Sequence, residues 1–190
     1  MDNVFCQPSP CVIALGMFDG MHPGHMAVID RAVSIARSMS IPARVFTFYE
    51  NPRDVFGKPV RQLMTPEEKQ AAMKARGIEE VIMVHFTKEF ASNPPEEFAR
   101  MLVRDYGARA VVSGEDYTFG RKAEGNVEAL KRFGKEMGFE VIVAPTVMIV
   151  TEKGETKGKV SSTAIRSALD AHREDIVQAL MDGKPVPENN

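Results

Sequence analysis

Two histidines, His22 and His25, stand three residues apart in a stretch that also holds three glycines and one aspartate: Gly16-Met17-Phe18-Asp19-Gly20-Met21-His22-Pro23-Gly24-His25. Glycine lets a backbone approach a ligand closely. A helix starting near Pro23 offers unpaired N–H groups and a partial positive charge, a natural seat for phosphate. His22 and His25 then point from its first turn toward one ligand. A metal-ligand reading of the pair lacks support, because no Cys or carboxylate stands at a matching spacing.

A second constellation lies near the C-terminus: Ser161-Ser162-Thr163-Ala164-Ile165-Arg166. Three hydroxyls at a helix start, with an arginine in the first turn, can hold an anion with neutral donors and one fixed charge. The same residues also read as a plain helix cap beside a solvated arginine. Between the two lies a glycine-punctuated loop, Gly114 to Gly125, which follows a strand pattern and precedes a helix pattern.

The elements that must position these residues follow from periodicity. Cys11 to Leu15 is a buried strand, bounded by Pro10 and Gly16. Met26, Ile29, Ala32, Val33 and Ala36 recur at helical spacing, and the helix from Pro23 stops before Ile41-Pro42. Ala43 to Tyr49 is a second strand, and Glu50 to Leu63 a long loop. Thr65-Pro66-Glu67-Glu68 opens a helix that ends at Gly77, and Val81 to Val84 is a third strand. Asn93-Pro94-Pro95-Glu96-Glu97 caps the next helix, and Ala110 to Ser113 is the fourth strand. After a helix over Val127 to Met137 comes a fifth strand, Val141 to Ala144. Pro145 to Val160 suggests a small hairpin, and two helices follow, the second over Glu174 to Met181. The tail from Gly183 reads as frayed. Alternating strands and helices predict an α/β fold with an open, parallel, five-stranded sheet and right-handed crossovers. In such a sheet the loops at the carboxyl ends of the strands gather at one edge, so the Gly16 and Gly114 loops face one cleft.

Composition narrows the class. A chain of 190 residues supports one sizeable domain, and 1–190 reads as a single unit. Its net charge of −2 gives no electrostatic case for nucleic-acid binding. No apolar run approaches the roughly 20 residues that span a bilayer, and Met1 to Pro10 has no secretory pattern. Cys6 and Cys11 form neither a disulfide framework nor a C-x-x-C pair, which fits a cytoplasmic location. The oligomeric state is not fixed by these features.

Gly16 to His25 resembles the G-x-F-D-G-x-H-x-G-H signature of the FMN adenylyltransferase module of bacterial FAD synthetases, within the wider H-x-G-H nucleotidylyltransferase superfamily. Ser161 to Arg166 resembles that family's S-S-T-x-I-R motif, and Gly114 to Gly120 with Gly125 its G-x-D/N-F-x-F-G loop. Phe86 to Phe90 and Pro95 to Phe98 also match, so the resemblance runs from about Val12 to Pro185. It implies a Rossmann-like nucleotidylyltransferase fold and the reaction ATP + FMN → FAD + pyrophosphate with Mg²⁺. By resemblance His22, His25 and Arg166 are catalytic. Gly16, Phe18, Asp19, Gly24, His25, Ser161, Ser162, Thr163 and Arg166 belong to the ATP site, and Asn51, Phe56, Phe98, Asp116 and Phe119 to the FMN site. No residue is assigned as a metal ligand.

Two departures stand out. Where the family carries T-F-x-P-H-P, this chain has Thr47-Phe48-Tyr49-Glu50-Asn51-Pro52, and Asn51 donates a hydrogen bond but carries no imidazolium charge. The family's bifunctional members continue into an all-β riboflavin kinase domain, and 1–190 contains no such region. Competing readings are adenylyl or cytidylyl transfer to another phosphorylated acceptor, and a flavin-nucleotide binding module without catalysis.

Overall fold

The computed structural model describes residues 8–187. The sheet is built around β1, Cys11–Leu15, whose five residues are all buried. Apolar side chains on both faces of a strand demand cover on both sides, as parallel sheets require. Val12 and Ala14 pack with Val28, Ile29, Ala32 and Val33 of α1, Pro23–Met39, and with Met73 of α3, Pro66–Ala75. Cys11, Ile13 and Leu15 face the other way, onto Phe98 and Leu102 of α4, Pro95–Arg104, and Leu130 and Phe133 of α5, Val127–Met137.

The remaining strands of this sheet are β2 (Ala43–Phe48), β3 (Glu80–Val84), β4 (Ala108–Ser113) and β5 (Glu140–Val143). Their order is β3-β2-β1-β4-β5 and every pairing is parallel. The chain winds outward from β1 through β2 to β3, then returns to the opposite side of β1. The carboxyl ends of β1 and β4 therefore flank a topological switch point, where open α/β sheets leave a crevice.

Beyond the sheet, β6 (Met148–Val150) and β7 (Thr156–Lys159) form the expected antiparallel hairpin. It leads into α6, Ser162–Asp170, and α7, Glu174–Asp182. Val160, Ile165, Ala179, Leu180 and Val186 make a separate apolar cluster there. None of the helices among the described residues is long and apolar enough to cross a membrane.

Several local expectations need correction. The Glu50–Leu63 stretch contains a four-residue helix, α2, Pro52–Val55, capped by Asn51 and opened by Pro52; one turn is too short to show a period. Asn93 does not cap α4. Pro94 occupies the N-cap without a side-chain bond, and the Asn93 carbonyl instead accepts the Arg121 N–H at 2.7 Å. The tail is not frayed through Val186. The Val186 N–H donates to Val150 O at 2.8 Å and its side chain is buried in the third cluster. Cys11 is buried and its thiol donates to Tyr106 O at 3.0 Å; Cys6 lies outside the described residues.

The loop after β4 rests on α4 through one glycine. Gly120 has φ 73° and ψ −177°, a region open essentially to glycine alone. A Cβ there would lie 2.8 Å from backbone atoms of Pro95, which cannot rotate away. Gly120→Ala should cost roughly 1–3 kcal/mol and lower the thermal midpoint. An alanine variant that melts with the wild type would show that the loop is free to lift off α4.

Candidate active site

The chain leaves β1 through a strained turn. Phe18 and Met21 both have positive φ, at 53° and 43°, without being glycine. Gly16 makes room for this, since a Cβ would lie 2.9 Å from the Phe18 ring. Phe18 is fully buried and sets its ring at 5.4 Å, edge to face, against His25. His22 is the N-cap of α1, and its Nδ1 accepts the His25 N–H at 3.4 Å. Its neutral ring therefore carries the proton on Nε2. The two imidazoles stack at 3.6 Å. Gly24 lets this happen, because a Cβ would press to 3.2 Å on the His22 ring and 3.5 Å on Val160 O.

Burial pushes His22 down to about 4, against the opposing pull of Asp19. It pushes His25 well below the usual imidazole range, assisted by the charges of His22, Lys69 and Arg166. Both rings are thus neutral hydrogen-bond donors at pH 7. The Nδ1 of His25 has no hydrogen-bond partner among the described residues.

Asp19 is the knot of the turn. Its Oδ1 accepts the N–H groups of Leu63 at 2.9 Å and Met64 at 3.2 Å, and its Oδ2 is ion-paired with Arg166. The Asp19 carbonyl accepts the Ser162 hydroxyl at 2.7 Å. Arg166 also donates to Arg61 O at 2.6 Å. Ser161 caps α6 through its hydroxyl, which accepts the Ala164 N–H at 3.2 Å. The turn before α1, the segment before α3 and the start of α6 are fastened at one point.

A cavity of about 820 Å³ opens at the switch point, between the Gly16 turn and the loop after β4, with the hairpin along one side. Its polar part is lined by His22, His25 and Ser161 to Thr163. Beside it lies a cluster of aromatic rings, Phe48, Phe56, Phe86, Phe90, Phe98 and Phe119, and charged side chains including Lys88, Glu115, Asp116, Arg121, Lys122 and Lys159 also line the cavity. Phe56, just after α2, is 57% exposed and sets its ring 6.3 Å from Phe86. Phe98 and Phe119 are buried against each other at 5.2 Å. Phe119 is pinned by two backbone hydrogen bonds with Gly125, where a Cβ would collide with its ring at 2.8 Å.

Most of the expected site residues meet in this cavity. Gly16, Phe18, His22, Gly24, His25, Ser161, Ser162, Thr163, Phe56, Phe98, Asp116 and Phe119 all line it. Asp19, Arg166 and Asn51 do not. Asp19 and Arg166 face each other behind the turn, and the Asn51 Oδ1 accepts the Arg53 N–H at 3.0 Å. Asp116 is ion-paired with Lys159, which holds its carboxyl below the usual range, and Glu115 accepts the Thr146 hydroxyl at 2.6 Å. These two bonds join the loop after β4 to the hairpin side.

Three features escape a reading of the sequence. Lys159 lines the cavity and pairs with Asp116, 43 residues away in sequence. Glu50 accepts the Phe86 N–H at 3.0 Å and pairs with His85 at 2.6 Å, joining the ends of β2 and β3. Lys69 is buried behind the turn. Only Lys69 left a trace: it precedes the buried Met73 by four residues, on the apolar stripe of α3.

No group of three or more His, Cys, Asp or Glu side chains is arranged to hold a metal ion among the described residues. The cavity does offer hard oxygen donors, the hydroxyls of Ser161 to Thr163 and the carboxylates of Glu115 and Asp116.

The parallel sheet with its strand order and switch-point cleft is an open α/β fold. Residues 5–164 match the family described as FAD synthetase, and the chain belongs to that family. It is 35% identical over 161 residues to the bifunctional riboflavin kinase/FMN adenylyltransferase of Listeria monocytogenes, covering 83% of this chain and 49% of that one. With the corresponding protein of Pseudomonas fluorescens it shares 33% identity over 178 residues, 92% of this chain and 55% of that one. The chain thus spans about half the length of these curated relatives. Among solved structures, a Streptococcus pneumoniae protein described as a macrolide-efflux protein superposes with a TM-score of 0.79 at 34% identity. The match covers 94% of this chain and 66% of that one.

The buried histidines set a pH dependence. His22 titrates near 4 when folded and near 6.5 when unfolded, so between these values the unfolded chain binds more protons. Its stability contribution is complete above about pH 6.5 and falls away toward pH 4. Thermal midpoints should therefore drop as pH is lowered through this window. His22→Asn keeps a capping side chain without a titrating ring, and its slope should be shallower. Equal slopes in both proteins would place His22 outside this linkage.

Proposed function

We propose that this domain transfers the adenylyl group of ATP to FMN, giving FAD and pyrophosphate. An oxygen of the FMN phosphate attacks the α-phosphorus of ATP. The bond from that phosphorus to the oxygen bridging to the β-phosphate breaks, and pyrophosphate leaves with the electron pair. The attacking phosphate is already a nucleophile, so the protein's work is alignment and charge stabilisation.

The observation that carries this reading is the division of one cavity into a phosphate seat and an aromatic wall, in a chain of the FAD synthetase family. Two helix N-termini, those of α1 and α6, meet at the seat, and both favour anions. Gly16 and Gly24 make room for the Phe18 and His22 rings that shape the seat, while Phe18 and Asp19 hold the turn. His22 and His25 donate hydrogen bonds to oxygens on which charge develops. Ser161, Ser162 and Thr163 face the same oxygens from α6. Arg166 serves the β- and γ-phosphates by exchanging part of its Asp19 contact for them. Mg²⁺, bound with ATP, neutralises charge on the triphosphate.

At the other end, Phe56 and Phe119 sandwich the flavin ring, as a broad apolar ring system requires. Phe98 supports Phe119 from the core, and Asp116 sits where the two substrates meet. Asn51 acts through α2, which ends at Phe56.

The test is incubation with ATP, Mg²⁺ and FMN, followed by chromatography. FAD and pyrophosphate in equal amounts are expected. No FAD, or faster transfer to phosphopantetheine or nicotinate mononucleotide than to FMN, would refute the reading. His25→Ala should lower kcat by roughly 10²–10³-fold, as for loss of one donor to developing charge, while leaving FMN binding intact. Unchanged kcat would remove His25 from the catalytic set.

A further inference from the structure

We propose that Lys69 is a positioning residue for adenylyl transfer: it ties the carbonyl ends of β1 and β2 together and so fixes the turn that carries Phe18, His22 and His25. This rests on the adenylyl-transfer reading given above.

Lys69 is only 4% exposed, on the same face of α3 as the fully buried Met73. A buried amine without a contacting carboxylate is expensive unless each N–H has an acceptor. Here the acceptors are Phe48 O at 2.7 Å, Met17 O at 3.3 Å and the Thr47 hydroxyl oxygen at 3.5 Å. Three acceptors for three protons is the complement of an ammonium.

The place of these acceptors is the decisive point. The pairing of β1 with β2 runs out at Leu15 and Phe46. Met17 and Phe48 lie just beyond, where β1 turns into the histidine loop and β2 into the segment leading to α2. Lys69 bridges this gap, and the Thr47 hydroxyl donates to the same Met17 carbonyl at 3.1 Å. The next residue is Phe18, with its left-handed backbone and its ring against His25. One peptide unit and one ring contact separate the Lys69 anchor from the imidazole.

Lys69 does not line the large cavity. It borders a separate void of about 10 Å³ together with Met17, Asp19, Asn51 and Met64. It therefore acts on the site through the turn and through its charge. Its charge also helps keep His25 neutral, after burial and His22 and ahead of Arg166, while Asp19 is the opposing charge that favours the ammonium.

The experiment compares wild type with Lys69→Met, which keeps the stem and removes the ammonium, and with Thr47→Val, which removes the hydroxyl. Each protein is melted, assayed with ATP and FMN varied, and followed by ¹H–¹³C spectra of the histidine rings across pH. His172, which follows α6, is the internal control; His85 is not, because it stacks on Tyr49 beside the Phe48 carbonyl that Lys69 holds. In Lys69→Met, kcat should fall roughly 10- to 100-fold, the cost of a misplaced reacting geometry, with KM for FMN within about twofold. The His22 and His25 signals should move, His25 should titrate at a higher pH, and the His172 control signal should stay. Thr47→Val should show the same pattern more weakly.

A folded Lys69→Met protein with wild-type kcat and unmoved His22 and His25 signals overturns the proposal. So does a loss of kcat with unmoved histidine signals, which marks a general loss of stability. If Lys69→Met does not fold, Thr47→Val decides, and wild-type kcat there overturns the proposal. If the wild type makes no FAD, the adenylyl-transfer reading fails instead, and the histidine spectra still decide whether Lys69 positions the turn.

Discussion

The ion pair between Asp19 and Arg166 is the constraint on which the site depends. Its side chains are 10% and 15% exposed, so both charges have lost most of their water. The carboxylate recovers with two backbone N–H groups beside the guanidinium, and the guanidinium with the Arg61 carbonyl. A charge stranded in such surroundings by loss of its partner typically costs about 3–5 kcal/mol. The pair closes a loop of 147 residues, joining the first strand-to-helix turn to the start of α6. Together with the Ser162 hydroxyl on the Asp19 carbonyl, it holds the start of α6 against the turn before α1.

The neutrality of the histidines follows from the same packing. Stacked rings, one over a buried phenylalanine, leave no room for the water that an imidazolium needs. The turn thus presents N–H donors and helix-end dipoles rather than a fixed local charge. Donors of that kind need no counter-ion and little reorganisation as charge develops on a phosphate.

Much of this was legible in the sequence because the information is local. Leu15-Gly16 marks the end of β1, Pro23 the start of α1, and Ser161 the cap of α6, each through the chemistry of neighbouring residues. The family signatures are contiguous runs, and the residues they designate mostly converge on the cavity. What stayed hidden is set by distant partners. Nothing near Asp19 or Arg166 in the sequence announces that they pair with each other. Nor does the sequence announce that the Asn51 Oδ1 caps a single turn of helix. Val186 looked like a loose tail residue, since its apolar partners are on the hairpin and α7. Lys69 was passed over because a lysine beside glutamates ordinarily marks a solvated helix face.

The two sides of the cavity are fastened by bonds of different kinds. The Asp19–Arg166 joint is sheltered, whereas the Asp116–Lys159 pair that ties the loop after β4 to the hairpin is 70% and 46% exposed. Exposed pairs contribute at most about 1 kcal/mol and weaken as mobile ions crowd around them. Rising ionic strength therefore loosens the hairpin's grip on that loop and leaves the histidine turn as it was. The cavity thus has one sheltered side and one whose fastening depends on ionic strength.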